Sequence, residues 1–336
     1  MALRTACGVS PVAHLNDADR EREYSPSSCI GGNYAPFIKA YADLSAQALA
    51  RHAARRDLAY GAQPAQKLDL FLPAACKGAT TGNSAEAGSA LPALLVFIHG
   101  GYWQELSKDL SLFGAPGALA EGAAFAALDY TLAPHATVHD MVMECRTALR
   151  WLHAHADEFG YDASCIVVAG SSAGAHLAAM AGLRSWADDA ELPVGLPAAS
   201  VLVSGIYDLS PLIGTSINDA LSLTSANVTA ISPLHWPALG APPSIVCWGE
   251  IETGEFKRQS QAYADVLAAA GALTDCFEMP ARNHFDVITD LTTPGTLLGD
   301  ACLAWLRAPA DGAAESCALP RAVPGRLFPF CLTDLP

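Results

Sequence analysis

The sequence is poor in basic residues. Its 336 residues include 19 Lys and Arg against 34 Asp and Glu, which gives a formal net charge of −15 at pH 7. The field of such a charge repels nucleic acid and anionic membrane surfaces. We therefore expect neither nucleic acid nor a membrane as a partner, and a small molecule as the substrate.

Long hydrophobic runs are also missing. No apolar stretch reaches the roughly 18 residues needed to span a bilayer, and the longest candidate, 91–98, is typical of a strand. The first twenty residues lack the sustained apolar core of a signal peptide. Because 51% of the residues are apolar and only 16% are charged, the chain is not a disordered one. We expect a folded, soluble and cytoplasmic protein.

Motifs for metals, cofactors and disulfide frameworks are absent. The ten cysteines are scattered without a Cys-x-x-Cys pair, which favours buried thiols. Cys317 and Cys331 are a candidate pair only in an oxidising compartment. His135 and His139 lack the glutamate of a His-Glu-x-x-His zinc motif, and no P-loop or dinucleotide fingerprint occurs. We expect no metal and no cofactor.

Apolar strands alternate with helical segments along most of the chain. The predicted strands are 66–72, 94–98, 123–129, 165–169, 200–205, 244–248 and 274–279. The predicted helices are 35–56, 112–122, 140–159, a segment ending at 186, 260–270 and 291–306. Such alternation predicts an α/β fold, with a mostly parallel sheet and helices on both faces. Ligands then bind beyond the carboxyl ends of the strands.

The chain divides into three parts. Residues 1–60 are expected to form an N-terminal helical segment that packs on the core, and residues 61–308 the α/β domain. Residues 309–336 form a C-terminal tail that matches no pattern we can interpret. The Ala-, Gly-, Ser- and Thr-rich stretch 73–90 is expected to be a surface loop, and no internal repeat is visible.

A serine between two glycines follows the 165–169 strand. Residues 170–174 read GSSAG, the pattern Gly-x-Ser-x-Gly, and an Ala-rich helix comes next. This strand–turn–helix context is that of a nucleophile elbow, in which glycines allow a tight turn. The helix N-terminus also favours negative charge beside Ser172. A simple helix cap would explain a serine but neither glycine, so Ser172 is predicted to be a nucleophile.

The HGGYW segment, residues 99–103, follows the 94–98 strand. Glycines in this position let backbone N–H groups turn toward a carbonyl oxygen. His99 is expected to have a structural hydrogen-bonding role. The predicted oxyanion hole consists of backbone amides, those of Gly100, Gly101, Tyr102 and Ala173.

A catalytic base and acid are expected after the nucleophile, the acid first. His284 lies in a polar loop after the last predicted strand and has the right place for the base. His176 is one helical turn from Ser172, and His235 precedes the 244–248 strand. The acid stays open at this point, because either Asp or Glu can hold an imidazole tautomer. The candidates are Glu250, Glu252, Glu255 and Asp208.

With these residues identified, the chain resembles the kynurenine formamidases (arylformamidases) of the α/β-hydrolase fold over residues 24–292. The resemblance rests on segments that occur in order: YSPSS, KLDLF, HGGYW, LDYTLAP, SAGAHLAAM, LVSGIYDLSP, ETGEFKRQS and NHFDVI. It implies an α/β-hydrolase domain over 61–308 and hydrolysis of an aryl formamide such as N-formyl-kynurenine.

The resemblance also implies roles for individual residues. It makes Ser172 the nucleophile and His284 the base. It favours Glu252 as the acid, with Glu250 second, because Glu252 stands where the family has an aspartate ahead of a Glu-Phe pair and an Arg-Gln-Ser run. Ser171 replaces the histidine usual in the family. These two departures indicate a divergent member.

Residues that contact the substrate are harder to identify from sequence. A formyl group is small, so we expect a narrow acyl pocket beside the HGGYW aromatics. Trp186 and Trp248 are further candidates for stacking on an aryl ring, with core packing as the alternative. The predicted substrate contacts are Tyr102, Trp103, Ser171 and Tyr207.

Two other functions remain open. A general carboxylesterase acting on small, short-acyl esters would use the same residues. A non-catalytic binding protein of this fold is disfavoured, because all three catalytic positions have candidates. The sequence leaves the oligomeric state open, with a homodimer as one alternative, and leaves open whether residues 207–236 form a lid.

Overall fold

A computed structural model describes residues 15–74, 91–186 and 192–307 of the chain. Within these ranges, eight strands form one sheet. The strands are β1 Ala54–Ala59, β2 Lys67–Phe71, β3 Leu94–Ile98, β4 Ala124–Leu128, β5 Ile166–Ser171, β6 Ala199–Val203, β7 Ser244–Ile251 and β8 Leu273–Asn283.

Helices cover the sheet and connect its strands. The α-helices of the described residues are α1 Asp17–Glu23, α2 Ala35–Arg51, α3 Ala115–Ala120, α4 Val138–Ala154, α5 Ala156–Phe159, α6 Ala173–Gly182, α7 Asn218–Leu221, α8 Gly254–Ala269 and α9 Leu297–Leu306. Short 3₁₀ turns lie at Pro26–Ile30, Lys108–Leu110, Ser210–Leu212, Val228–Ile231, Pro233–His235 and Val287–Asp290.

The sheet is mostly parallel, as the sequence predicts. Its strand order is β1-β2-β4-β3-β5-β6-β7-β8. The pairs β1·β2 and β2·β4 are antiparallel, and all other neighbours are parallel. Chain order reverses around β3, which lies between β4 and β5. The carboxyl ends of β3 and β5 therefore meet at the switch point where open α/β sheets bind ligands.

The central strands are buried on both faces. All five residues of β3 are buried. Leu94, Val96 and Ile98 pack into the apolar cluster on one side of the sheet, whereas Leu95 and Phe97 pack into the cluster on the other. This distribution follows from the two-residue repeat of a strand. It also explains why the strand reads as a continuous apolar run and not as an alternating one.

The prediction for residues 35–56 is wrong at its C-terminal end. The helix α2 ends at Arg51, and the following residues form the edge strand β1, which pairs with β2. The sequence of β1, ARRDLA, is mostly exposed and has no apolar alternation. Its strand conformation depends on pairing with β2, which local sequence does not reveal. The short helix α1, capped by Asn16 and without buried residues, is also missing from the prediction.

Two further findings concern cysteines and membrane spans. Among the described cysteines, Cys165 is disulfide-bonded, and the others are free thiols: Cys29, Cys145, Cys247, Cys276 and Cys302. The candidate pair in the C-terminal tail lies outside the described residues. In the described part of the chain, no helix is long and apolar enough to cross a membrane.

Candidate active site

Ser172 lies on a sharp turn between β5 and α6. Its backbone has φ 56° and ψ −120°, a conformation that L-residues rarely adopt. A Cβ atom at Gly170 would lie 2.2 Å from the Gly174 carbonyl oxygen, and one at Gly174 would lie 2.1 Å from the Ile98 oxygen. Both glycines are therefore required by close backbone contacts. This is the strand–turn–helix geometry expected from the Gly-x-Ser-x-Gly pattern.

The HGGYW loop lies against this turn. The register of β3 and β5 pairs Ile98 with Gly170. A Cβ atom at Gly100 would be 2.8 Å from the Ser171 carbonyl oxygen and 3.2 Å from Ser172 Cβ. The loop and the nucleophile candidate therefore share one edge of the sheet, as the sequence predicts.

The loop leaves backbone donors available. Gly101, Tyr102 and Trp103 have consecutive positive φ angles of 91°, 48° and 61°, which turn their peptide groups out of the strand direction. Among the described residues, the predicted oxyanion-hole amides donate no hydrogen bond to another backbone or side-chain group; they are those of Gly100, Gly101, Tyr102 and Ala173. Free N–H groups beside a serine hydroxyl can stabilise a developing oxyanion.

His99 holds the loop in place. Its Nδ1 lies 2.9 Å from the Gly100 carbonyl oxygen, and its ring stacks on Tyr130 at a centroid distance of 4.4 Å. The Tyr130 hydroxyl donates to the His99 carbonyl oxygen at 3.0 Å. These contacts give His99 a role in the shape of the loop, as expected from the sequence.

His284 and Glu252 form a buried pair. The Nδ1 atom of His284 donates to Glu252 Oε2 at 2.9 Å, and the Glu252 side chain is fully buried. The other carboxylate oxygen, Oε1, accepts from Ser204 Oγ and from the Gly249 amide, both at 2.6 Å. A carboxylate accepts hydrogen bonds only, so the imidazole carries its proton on Nδ1 and offers Nε2 as an acceptor.

The sheet register explains this pairing. In β7 and β8, Ile251 pairs with Asn283, so the next residues, Glu252 and His284, leave the sheet side by side. The loop after β8 is fixed by Asp286, which accepts from Asn283 N at 2.7 Å and from Asn283 Nδ2 at 2.9 Å. Burial raises the pKa of Asp286.

The other acid candidates lie away from His284. The exposed Glu250 accepts from the Ala281 amide at 2.7 Å. Glu255 accepts from Tyr24 Oη at 2.8 Å and pairs with Arg258 at 2.7 Å. The nearest contact of Asp208 with a histidine is to His235, at 3.4 Å. Glu252 alone among the four candidates contacts the imidazole.

Ser172 and His284 line one cavity of about 220 Å³. Ser172 is 7% exposed and His284 is 6% exposed. The Ser172 hydroxyl makes no hydrogen bond with any described residue, so it is not joined to His284 in this state. Catalytic hydrogen bonds are often long in the absence of substrate and tighten in the complex.

Aromatic side chains that the sequence analysis missed form much of the cavity wall. Tyr34 stacks on Phe285 with a centroid distance of 5.3 Å and an interplanar angle of 6°. The Tyr41 hydroxyl donates to the Phe285 carbonyl oxygen, and Phe113 also lines the cavity. Phe285 directly follows His284 in sequence, which was a usable signal. Tyr34 and Tyr41 come from the N-terminal segment, whose position over the site no local pattern reveals.

The predicted substrate contacts divide into two groups. Tyr102 and Ser171 line the cavity. Trp103 and Tyr207 are fully buried in the core, and the cavity wall does not include them. Trp103 packs its ring edge-on against His176, whose pKa burial lowers to about 4, and Tyr207 stacks on Tyr263.

The expectation that Trp103 and Tyr207 contact substrate is therefore corrected. Large aromatic side chains gain more free energy from complete burial than from partial exposure. Trp186 and Trp248 likewise lie outside the cavity wall. Their indole N–H groups donate to the Ala230 carbonyl oxygen and to Glu278.

The chain is similar to known hydrolases. The BD-FAE family model matches residues 83–213. The kynurenine formamidase of Danio rerio is 31% identical over 247 residues, covering 72% of this chain and 78% of that protein. Esterase LipC of Mycobacterium tuberculosis is 29% identical over 268 residues, covering 73% of this chain and 63% of that protein.

A solved structure shows the same architecture. The crystal structure of a protein from Silicibacter sp. TM1040 has a TM-score of 0.69 and 28% sequence identity, covering 83% of this chain and 97% of that chain. The sheet with its covering helices and the matching family model show the α/β-hydrolase fold. The similarity to kynurenine formamidase shows that the protein is a hydrolase. At about 31% identity over most of its length, the chain belongs to the kynurenine formamidase family as a divergent member.

Proposed function

We propose that the protein hydrolyses an aryl formamide, of the kind represented by N-formyl-kynurenine, through Ser172, His284 and Glu252. The observation that carries this proposal is the buried hydrogen bond from His284 Nδ1 to Glu252 Oε2, at 2.9 Å, since His284 lines the same cavity as Ser172. It leaves Nε2 as the basic atom toward the nucleophile. The identity of the Danio rerio relative supports the formamide substrate.

In the first half of the reaction, His284 Nε2 takes the proton of the Ser172 hydroxyl as the serine oxygen bonds to the formyl carbon. The carbonyl π bond opens, and its electron pair becomes an oxyanion. The free amides of the HGGYW loop and of Ala173 donate to this oxygen. The negative charge of Glu252 stabilises the imidazolium that forms.

In the second half, the oxyanion collapses and the C–N bond breaks. The imidazolium of His284 gives its proton to the departing aniline nitrogen, which leaves a formyl ester on Ser172. Water then attacks this ester with His284 as the general base, and formate is released with the serine restored. In each step the proton is transferred by His284, whose imidazole is held by Glu252.

The cavity supports a small acyl group and one aromatic ring. Its volume of about 220 Å³ is modest, and the stacked pair of Tyr34 and Phe285 presents aromatic surface to a bound ring. Rotation of the Tyr102 side chain is restricted, because its hydroxyl donates to the Tyr24 carbonyl oxygen at 2.5 Å. Rigid walls favour a planar aryl leaving group.

The test is a steady-state assay of purified protein with N-formyl-kynurenine, comparing the native chain with Ser172→Ala. We expect kcat to fall by about 10³-fold or more in the variant, because loss of a nucleophile leaves only binding and oxyanion stabilisation. A fluorophosphonate probe should label the native chain and Ser171→Ala but not Ser172→Ala. A native kcat/KM close to that of Ser172→Ala would refute the proposal.

Hydrolysis of small carboxylic esters is the second candidate function. The similarity to esterase LipC favours it, as does Ser171 in place of the histidine usual among kynurenine formamidases. The two functions differ in the leaving group, an aniline or an alcohol. Assays with an aryl formamide and with p-nitrophenyl acetate on one preparation distinguish them, since a preference for the ester by orders of magnitude would favour the esterase.

A further inference from the structure

Ser204 has a backbone conformation that glycine adopts more easily than any residue with a side chain. It directly follows β6, is fully buried and has a φ angle of 52°. At such an angle the Cβ atom of an L-residue lies close to backbone atoms, which costs free energy. Strained residues of this kind persist where their surroundings hold them, and they cluster at functional sites. The strain indicates that the serine side chain makes a contact that glycine could not replace.

The backbone of Ser204 is bonded to the turn that carries the nucleophile. The carbonyl oxygen of Val203 belongs to the same peptide group as the Ser204 amide, and it accepts from the Ser172 amide at 2.8 Å. On the other side, the Ser204 amide donates to the Cys247 carbonyl oxygen, also at 2.8 Å. Because a peptide group is planar and rigid, these two hydrogen bonds fix Ser204 relative to Ser172 and to β7.

The hydroxyl of Ser204 donates to the carboxylate of Glu252. Its Oγ atom lies 2.6 Å from Glu252 Oε1, and an ionised carboxylate can only accept. The Glu252 side chain is fully buried, and a buried charge requires hydrogen-bond donors. Its donors among the described residues are Ser204 Oγ, Gly249 N and His284 Nδ1. Loss of the Ser204 hydroxyl would therefore leave this charge with two of its three donors.

The donors of Glu252 hold its carboxylate to different parts of the fold. Gly249 is three residues from Glu252, so its amide holds the carboxylate to the segment that Glu252 itself belongs to. The Ser204 hydroxyl holds it instead to the end of β6, where the Ser172 amide is also bound. Ser204 is fully buried, and the wall of the active-site cavity does not include it. An effect of its hydroxyl on turnover must therefore pass through Glu252.

We infer that Ser204 is a positioning residue of the proposed hydrolase, whose hydroxyl fixes the Glu252 carboxylate, and through it the His284 imidazole, relative to Ser172. This inference rests on the catalytic residues of the proposed function, but not on its formamide substrate. The same hydroxyl is needed whether the leaving group is an aniline or an alcohol, because both reactions use the same proton transfer.

The expected size of the effect follows from the strength of one hydrogen bond. A hydrogen bond to a charged group changes an equilibrium by roughly 10- to 100-fold. The Gly249 amide would still hold the same carboxylate oxygen, so loss of the Ser204 hydroxyl should lower kcat by about tenfold, at the lower end of that range. KM should stay within about twofold, because Ser204 does not line the cavity.

The experiment compares two variants that remove the hydroxyl and differ in backbone strain. Ser204→Ala keeps the Cβ atom, whereas Ser204→Gly relieves the strain of the positive φ angle. Steady-state assays use N-formyl-kynurenine and p-nitrophenyl acetate, and urea denaturation measures folding. We expect both variants to lose about tenfold in kcat on each substrate that the native chain hydrolyses, with Ser204→Gly no less stable than Ser204→Ala.

Two further variants locate the effect. Ser200→Ala is the matched control, because Ser200 is a buried serine of the same strand whose hydroxyl has no hydrogen-bond partner among the described residues. Its kcat should stay within about twofold of the native value. The second variant adds Ser204→Gly to Glu252→Gln, in which the carboxylate that the hydroxyl positions is already gone. This addition should lower kcat by less than about twofold, since residues that act as a unit have non-additive effects.

The outcomes separate this inference from the proposed function. Native kcat in Ser204→Gly, an equal loss of kcat with and without Glu252, or loss of the fold in both Ser204 variants would overturn the inference and leave the formamidase proposal standing. Hydrolysis of p-nitrophenyl acetate alone, with the tenfold loss of kcat in both variants, would overturn the formamide substrate and support the role of Ser204. Failure of the native chain to hydrolyse either substrate would refute both.

Discussion

Exchange of Glu252 for glutamine tests the triad, because the structure determines which way the new amide would face. In the native chain Oε1 accepts from Ser204 Oγ and Gly249 N, and Oε2 accepts from His284 Nδ1. The Gly249 amide is a fixed donor, so an oxygen must remain on that side. The amide nitrogen of Glu252→Gln must then face His284.

This orientation reverses the histidine tautomer. An amide N–H that faces Nδ1 requires Nδ1 to accept, which places the imidazole proton on Nε2. His284 can then no longer take the proton of Ser172. Loss of the correct tautomer in a serine triad lowers kcat by about 10⁴-fold with little change in geometry. We expect a loss of that size for Glu252→Gln with KM nearly unchanged.

The measurement is kcat for an aryl formamide and for p-nitrophenyl acetate, together with circular dichroism to confirm folding. Glu250→Gln is the control, because Glu250 is exposed and contacts the Ala281 amide, not His284. It should stay within about twofold of the native chain. Retention of more than a tenth of native kcat by Glu252→Gln would refute the assigned role.

Two further predictions concern stability. Gly174→Ala should destabilise the fold by about 3 kcal/mol, because its Cβ would lie 2.1 Å from the backbone oxygen of Ile98, which cannot move without distorting β3; urea denaturation measures this. His176 has a pKa of about 4, so between pH 6.5 and 4 the unfolded chain binds a proton that the native chain does not. Stability should thus fall by about 2.5 kcal/mol from pH 7.5 to 4.5 through this group, and His176→Gln should lack that part of the decrease.

Both stability predictions have matched controls. Gly254→Ala introduces the same methyl group where its nearest neighbour is the flexible Glu23 carboxylate at 3.3 Å, so its cost should be small. Equal stability of the Gly174 and Gly254 variants would contradict the steric argument. Identical pH profiles of unfolding free energy for His176→Gln and the native chain would show that His176 titrates normally.

The sequence predicted the elements whose position depends on local residue type, such as a fully buried strand or a turn that requires glycine. The strand 94–98 was predicted with the observed bounds, because β3 is apolar on both faces and is followed by the polar and glycine-rich segment that starts at His99. The Gly-x-Ser-x-Gly turn was predictable because two glycines meet backbone atoms at distances that no side chain allows. In both cases the constraint is local and visible in residue type.

The other features of the fold and the site depend on contacts between residues that are distant in the chain, so the local sequence did not predict them. Residue order and chemistry left several carboxylates open as the acid, and only the β7·β8 register brings Glu252 beside His284. Ser204, which donates to Glu252, lies 48 residues from it in the chain, and the LVSGIYDLSP segment that contains it gave no sign of this contact. The edge strand β1 and the aromatic residues of the N-terminal segment were missed for the same reason, since their positions depend on partners distant in sequence.

The place of β8 in the sheet has a consequence for how the enzyme loses activity. This strand lies at the border of the sheet and bonds to β7 alone, yet it carries the residue before His284. Border strands open more easily than central ones, at a free-energy cost below that of global unfolding. Mild denaturant should therefore abolish turnover at concentrations where far-UV ellipticity still shows a folded chain. Loss of activity should thus precede global unfolding in this molecule.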